Sequence, residues 1–304
     1  MAAGRTPEEY GAHLIRRVEE TRADAVVIGK GWHDGWAVPA KALVQIRNTG
    51  RRLALLSWDD PDQVPTSIRF GLPFAMHAIG TCCWDEARSI RAYQAVAPRA
   101  RVFLSWPGWD QAAWEPTMAE PVAETCDLLI GGSPYHRPTN EYRGPSRREI
   151  LWEAIRRGWT VEVWGGREWL LAAHGGDPKL EPWYRGPYGY AERGRLWRRA
   201  RVNVGTHLRW GPRAYIHDRL FMVGGAGRAY LMDDQPGVQD AFPEVVYFRG
   251  GDMGDLFDKA EELRSDAGMR SVLGRSLRDR ILSAHTLAHR VDALLRALEI
   301  DVPA

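Results

Sequence analysis

The sequence predicts an α/β protein of two domains, with parallel strands alternating with crossover helices and the two sheets facing a central cleft. Three observations carry that reading. The chain has 304 residues, about twice a typical domain. Short runs rich in Val, Ile and Leu alternate with longer helical patterns, as strand–helix–strand units require. Residues 132–146, rich in Gly, Pro, Ser and Arg and without a period, then interrupt the alternation before it resumes.

In the first half, strands are expected at 25–29, 53–57, 75–80, 101–105 and 128–131. Between them, residues 40–48 place Ala42, Leu43 and Ile46 on one face and stop at Gly50, which reads as a helix with a glycine terminator. Residues 85–96 form the next helical pattern, and the interrupting segment opens another over 145–157, with Pro145 at its start. The second series runs as strand 160–164, helix 166–173, irregular 175–189, helix 190–200, strand 201–205, helix 213–223 and strands 228–232 and 245–248. Helical patterns over 253–265, 267–283 and 286–298 close the chain. The expected division is 1–140, 141–284 and a terminal helix segment 285–304. Open parallel sheets bind ligands outside the carboxyl ends of their strands, so the loops after strands are where function is sought.

Composition narrows the class. A hydrophobic share of 44% and a charged share of 26% are ordinary for a globular protein, and no window approaches the ~20 apolar residues of a membrane span. The first ten residues hold Pro7, Glu8 and Glu9 and no apolar signal core, so a cytoplasmic location is expected. Cys82, Cys83 and Cys126 are too few and too unevenly spaced for a disulfide framework, and no pair suggests zinc. A net charge of +2 does not mark a nucleic-acid binder. Lys occurs only at Lys30, Lys41, Lys179 and Lys259; the Arg bias fits genome composition first and bidentate phosphate binding second.

From Leu128 onward the order of short signals resembles the CgeB-like glycosyltransferases, a family of GT-B architecture whose second half is related to retaining transferases. The matching pieces are 128–133 (Leu-Leu-Ile-Gly-Gly-Ser), Arg147 and Arg148, 163–166 (Val-Trp-Gly-Gly), 186–190, Leu196 and Trp197, 202–207, 218–221 and 285–290 (His-Thr-Leu-Ala-His-Arg). The resemblance implies two Rossmann-like domains, an acceptor half and a nucleotide-sugar half, and a terminal helix crossing back to the first domain. It also implies sugar transfer from a UDP-, GDP- or other nucleotide sugar to an acceptor hydroxyl, with no cofactor or metal required. The acceptor is open: a glycan, a protein, a small molecule or a modified base in DNA. Related enzymes carry a glutamate for the donor ribose after an Arg-x-Phe sequence. Here Arg219, Leu220 and Phe221 are followed by Met222, which cannot accept those bonds. Either Asp218, Asp233 or Asp234 replaces that glutamate, or the donor preference has changed, or the site is degenerate.

Donor candidates follow from diphosphate chemistry, which needs close backbone approach, N–H groups at a helix start and fixed cations. Gly165 and Gly166 stand between an expected strand and helix, Arg213 and Arg219 flank an expected helix start, and His207 ends a strand. Tyr184, Gly186 and Tyr188 lie in the stretch that the resemblance assigns to the nucleotide base. In the first half, Trp32, Trp36, Trp58, Trp84, Trp106 and Trp109 follow expected strands, a pattern suited to an aromatic acceptor platform. Trp32, His33, Asp34, Trp58, Asp59, Trp106 and Trp109 are the acceptor candidates. Asp60 or His33 is the candidate base if the anomeric centre inverts; if it is retained, the leaving phosphate itself takes the proton. Arg219 is the third catalytic candidate, stabilising the departing diphosphate. Asp60-Pro61-Asp62 spells the Asp-x-Asp of metal-dependent transferases, but the double α/β pattern argues against that architecture. Other readings are a non-catalytic nucleotide-sugar- or glycan-binding protein, motivated by Met222, and a nucleotide-sugar epimerase.

Overall fold

Thr6 opens the chain's first helix with a capping box: its hydroxyl accepts the Glu9 N–H, and the Glu9 carboxylate accepts the Thr6 N–H. The Thr-Pro-Glu-Glu signal is plain in the sequence, yet the expected elements omit this helix, α1 (Pro7–Thr21). The computed structural model describes residues 6–29, 32–33, 36–57, 62, 64–134, 145–207 and 211–301.

The chain divides into two units, one of residues 1–106 with 288–304 and one of residues 107–287. In the first unit α1 leads to β1 (Ala25–Gly29), the antiparallel pair β2 (Trp32–His33) and β3 (Trp36–Ala37), α2 (Ala40–Asn48) and β4 (Arg52–Ser57). Helix α3 (Val64–Arg69), β5 (Ala78–Thr81), α4 (Arg91–Val96) and β6 (Arg101–Leu104) follow. The parallel sheet has the order β1-β4-β5-β6, always stepping the same way. Right-handed crossovers therefore set the connecting helices on one face. Alternation along β4 shows the two faces: Leu53 and Leu55 pack with Val18, Leu43 and Ile46, while Ala54 points to the other side.

The second unit holds α5 (Gln111–Trp114), β7 (Cys126–Gly131), α6 (Arg147–Arg156), β8 (Val161–Trp164), β9 (Tyr184–Gly186) and α7 (Arg193–Leu196). It continues with β10 (Ala200–Gly205), α8 (Asp218–Gly225), β11 (Tyr230–Asp233), β12 (Val246–Phe248), α9 (Met253–Ser265) and α10 (Ala267–Ala284). Its parallel sheet has the order β12-β11-β10-β7-β8-β9. The chain builds outward from β7 through β8 to β9, returns to the other flank of β7 at β10, and builds the opposite way. That reversal separates the carboxyl ends of β7 and β10, the position where open α/β sheets bind ligands.

The last helix, α11 (Leu287–Leu298), enters the first unit at Ala288. Its Leu294, Ala297 and Leu298 pack on Ala54 and Ala78, covering the face that the one-way winding leaves without crossover helices. Small residues on the sheet let the helix approach closely.

Several expected elements are corrected. The expected boundary at 140 gives way to one after Trp106, because the strand of residues 128–131 belongs to the second sheet, where Leu128 lies between Val202 and Val161. The helix expected over 166–173 is two 3-10 turns, Arg167–Leu170 and Ala172–His174, split by Leu171 in an extended conformation. The helix expected over 213–223 starts only at Asp218, since Ala214 is left-handed at φ 58°. The helix over 190–200 shortens to α7 and a 3-10 turn, Trp197–Arg199, whose Trp197 carbonyl is held by the Asn203 side chain at 3.1 Å.

Candidate functional site

Because the second sheet is parallel, Gly131, Trp164, Gly205 and Asp233 end their strands at one edge. The polar residues just beyond them define the candidate site.

Gly132, directly after β7, has φ +107°, a conformation that side chains disfavour. A Cβ there would lie 3.4 Å from Arg147 Nη1 and 3.7 Å from Arg219 Nη2, so two guanidinium groups converge on this backbone. Arg147, at the start of α6, is buried and donates to the Ser133 carbonyl at 2.7 Å. A second capping box, formed by Ser146 and Glu149, fixes where that helix begins. Arg219 stands in the first turn of α8 and is only 8% exposed. Its Nη1 is buried without a hydrogen-bond partner, and among the described residues no carboxylate pairs with it. The α8 N-cap, His217, makes no side-chain cap, so the helix start offers its first N–H groups and its dipole at the same edge.

Beyond β10, Thr206 and His207 are 2% and 1% exposed. The His207 ring donates from Nδ1 to Asp233 Oδ1 at 2.6 Å, and its backbone N–H reaches both Asp233 oxygens at 3.1 and 3.2 Å. Gln235 Nε2 donates to the same carboxylate at 3.2 Å. The His207 ring stacks on His217 with centroids 4.2 Å apart. Burial above all, with the guanidinium charges of Arg219 and Arg147 adding to it, holds the His217 pKa well below its ordinary value, so the imidazole is neutral. Its Nε2 lies 3.2 Å from the hydroxyl of Tyr230, which burial keeps protonated. Thr206 Oγ1, His207 Nε2, His217 Nδ1 and Gln235 Oε1 are all buried without a partner.

At the β8 and β9 ends the glycines have packing reasons. An added Cβ on Gly165 would meet the Gly132 carbonyl at 2.0 Å, and one on Gly166 the Glu168 carboxylate at 2.0 Å. The Gly165–Gly166 turn is thus closed by a carbonyl and faced by a carboxylate, which is poor ground for a phosphate. Gly186 accepts the Gly165 N–H and Tyr184 donates its hydroxyl to the Gly165 carbonyl, both at 2.9 Å, bracing this turn. Tyr188 is half-buried, with Trp197 edge-on at 6.4 Å and Arg193 5.8 Å from its ring centre. Burial raises its pKa against the opposing pull of Arg219 and Arg193. It borders a groove of about 370 Å³ lined also by Trp164, Leu196 and Arg199. Charges in that groove are paired, Arg195 with Glu120 and Glu192, and Arg199 with Glu162, so it lacks the uncompensated cation found at Arg219.

Other expected positions fall differently. Arg213 is exposed and lies beside Gly237 rather than at the start of α8. Asp233 spends its oxygens on His207 and Gln235, which argues against the ribose role expected of it. Asp234 accepts the Gln239 side chain at 2.8 Å. Met222 is buried at 2% exposure. Trp109 contradicts the acceptor platform: it is fully buried in the second unit, donates to Glu115 at 3.1 Å and fills the space left by Gly225. Trp106 is half-buried, and its carbonyl accepts Arg290 Nε at 2.9 Å. Trp32 and His33 form β2, with no description of their side chains; Asp34, Trp58, Asp59 and Asp60 lie outside the described residues. Sequence reasoning missed His217, Gln235 and Thr206, and it placed no site role on Gly132 or Arg147. The Gly-Gly-Ser following a strand and the Ser-Arg-Arg-Glu cap were the available signals.

These features meet at the reversal point of the second sheet, and the family comparison falls on the same half. Residues 147–296 match a family described as glycosyl transferase-like. The enzyme class of the chain, a glycosyltransferase, rests on that match, which takes in Arg147, His207, His217, Arg219 and Asp233. No curated protein sequence matches the chain. Among solved structures, it is similar to the trehalose-6-phosphate synthase OtsA, with a TM-score of 0.63, 10% identity, and coverage of 98% of this chain and 77% of that one. Anabaena Alr3699/HepE in complex with UDP and glucose aligns with a TM-score of 0.61 at 11% identity, covering 95% and 81%. A trehalose-6-phosphate structure from E. coli, bound with UDP-2-fluoro glucose, aligns at 0.63 and 12% identity, covering 98% and 78%. At these identities the likeness shows the fold, the GT-B architecture of two Rossmann-like domains. Among the described residues no cluster of metal-ligating side chains occurs, and no helix is long and apolar enough to cross a membrane.

Proposed function

We propose that the second unit grips the diphosphate of a nucleotide sugar at Gly132, Arg147 and Arg219, and that the sugar passes to an acceptor hydroxyl bound by the first unit. The observation that carries this reading is Arg219: a guanidinium 8% exposed, with Nη1 unpartnered, beside a second guanidinium and a helix start. Burying a cation without a counter-charge is costly, and a diphosphate supplies what is missing. The same charges stabilise the diphosphate as it departs, the main demand of breaking a sugar–phosphate bond, and so a metal is not needed for that step. UDP in complex with the similar Anabaena protein supports a uridine donor.

The order of the motifs from Leu128 supports membership of the CgeB-like group, and three buried free cysteines fit a reducing, cytoplasmic setting. His33 or Asp60 stays the proposed base of an inverting reaction, with Trp32, Asp34, Trp58, Asp59 and Trp106 on the acceptor side.

Calorimetric titration with UDP, GDP, ADP and TDP tests the donor site. We expect one of them to bind, with affinity falling about 100-fold in Arg219→Ala, the value of a charge-assisted contact. Unchanged affinity in the variant removes Arg219 from the site.

A further inference from the structure

We propose that Asp233 is a positioning residue that holds His207 with its Nε2 ready to accept a hydroxyl of the donor's sugar. The inference rests on the donor site proposed above and assigns the sugar end of that ligand.

Asp233 is fully buried and fixes His207 at two points, the backbone N–H and ring Nδ1. In the tautomer where Nδ1–H donates to the carboxylate and Nε2 carries no proton, the bare lone pair lies on Nε2. That nitrogen is buried, in a side chain with no exposure at all, and has no partner. Stacking on His217 restrains the ring plane, so its direction is set before any ligand arrives.

The surroundings identify the ligand chemistry. Gln235 donates to Asp233 with its Nε2, leaving Oε1 as a second buried acceptor without a partner. The Tyr230 hydroxyl can donate to His217 Nε2 or accept from it, and the neutral His217 leaves Nδ1 buried without a partner, a donor in the first case and an acceptor in the second. Thr206 Oγ1 can act either way. Phosphate oxygens satisfy donors only and would leave His207 Nε2 and Gln235 Oε1 unmet. A polyhydroxyl group both donates and accepts, matching the whole set. Placement agrees: Tyr188 follows β9, Arg219 and Gly132 stand at the centre, and His207 with Asp233 at β10 and β11 on the far side. Base, diphosphate and sugar then span the strand ends in that order.

The test compares bare nucleoside diphosphates with their glucose esters, using the full chain and calorimetry, for wild type, His207→Ala, His207→Gln and Asp233→Asn. In wild type the glucose ester should bind more tightly than the bare diphosphate. In His207→Ala and Asp233→Asn that advantage should shrink about tenfold, while bare diphosphate affinity stays within twofold. His207→Gln, which keeps an acceptor near the Nε2 position, should recover part of it. Ring ¹⁵N spectra should show His207 Nε2 unprotonated, shifting with the ester but not with the bare diphosphate. An ester advantage unchanged in His207→Ala, or absent from wild type while diphosphate binds, overturns this inference and leaves the diphosphate site standing. Failure of every nucleotide to bind wild type overturns both.

Discussion

The two sheets differ in how they treat polar groups. In the first, four strands wind one way, and polar side chains at the end of β5 are closed on their neighbours: the Thr81 hydroxyl donates to the Cys83 carbonyl, and Cys83 Sγ lies 3.9 Å from the Ser89 hydroxyl. In the second, six strands reverse direction beside β7, and every buried side-chain polar atom without a partner among the described residues lies in this unit. At the end of β5, beside neighbours that all step the same way, the described polar groups pair locally. A reversed sheet opens a crevice at its strand ends, and Arg219 Nη1 and His207 Nε2, which have no protein partner there, are the atoms that the proposed ligand would complete.

That contrast can be broken at four points, from the largest effect to the smallest. Gly165→Ala places a Cβ 2.0 Å from the Gly132 carbonyl and should cost the second unit about 4 kcal/mol, read by urea unfolding; a loss under 1 kcal/mol would mean the crevice wall yields. Leu298→Ala, on the helix covering Ala54 and Ala78, should cost about 3 kcal/mol and act on the first unit alone, visible by hydrogen exchange. Protection lost equally in both units would remove the distinction.

His217 supplies the third. Its folded pKa lies well below its unfolded value, so the unfolded chain binds the extra proton first. Stability is therefore full above about pH 6.5 and falls on acidification by up to about 1.4 kcal/mol per pH unit, until the folded pKa is reached. His77 in the first unit shifts the same way, mainly through burial, so His217→Asn should reduce the acid slope without abolishing it. An unchanged slope would show that His217 does not carry it. Finally, Arg219→Met removes a buried, unpaired charge and should raise stability by about 1 kcal/mol while abolishing diphosphate binding. Destabilisation with binding retained would make Arg219 a structural residue.

Much of the fold follows from local signals. Strand 25–29 and helices 40–48 and 253–265 are structured over the residues that their patterns predict, because hydrophobic period and helix stops are properties of neighbouring residues. Shortfalls occur where the chain is held from outside itself. The stretch 166–173 has helical composition, but Trp169 Nε1 is committed to the Gly132 carbonyl at 2.7 Å and the turns stay 3-10. In the same way, residues 128–131 read as a strand from their sequence, but which sheet they join depends on Val161 and Val202, more than thirty residues away.

For the site, the sequence by itself determined that His207 lies just beyond a strand, since its neighbours fix that element, whereas the start of the helix that carries Arg219 was expected at 213 and only the structure moved it to Asp218. The sequence also determined that Met222 cannot take the glutamate's place, as a thioether lacks the acceptor strength. Only the tertiary structure decided that Arg219 is buried without a carboxylate, that Asp233 is committed to His207, and that Trp109 is core rather than rim. Those are facts of pairing and burial, and a side chain's partners are set by segments that meet only when the sheet reverses.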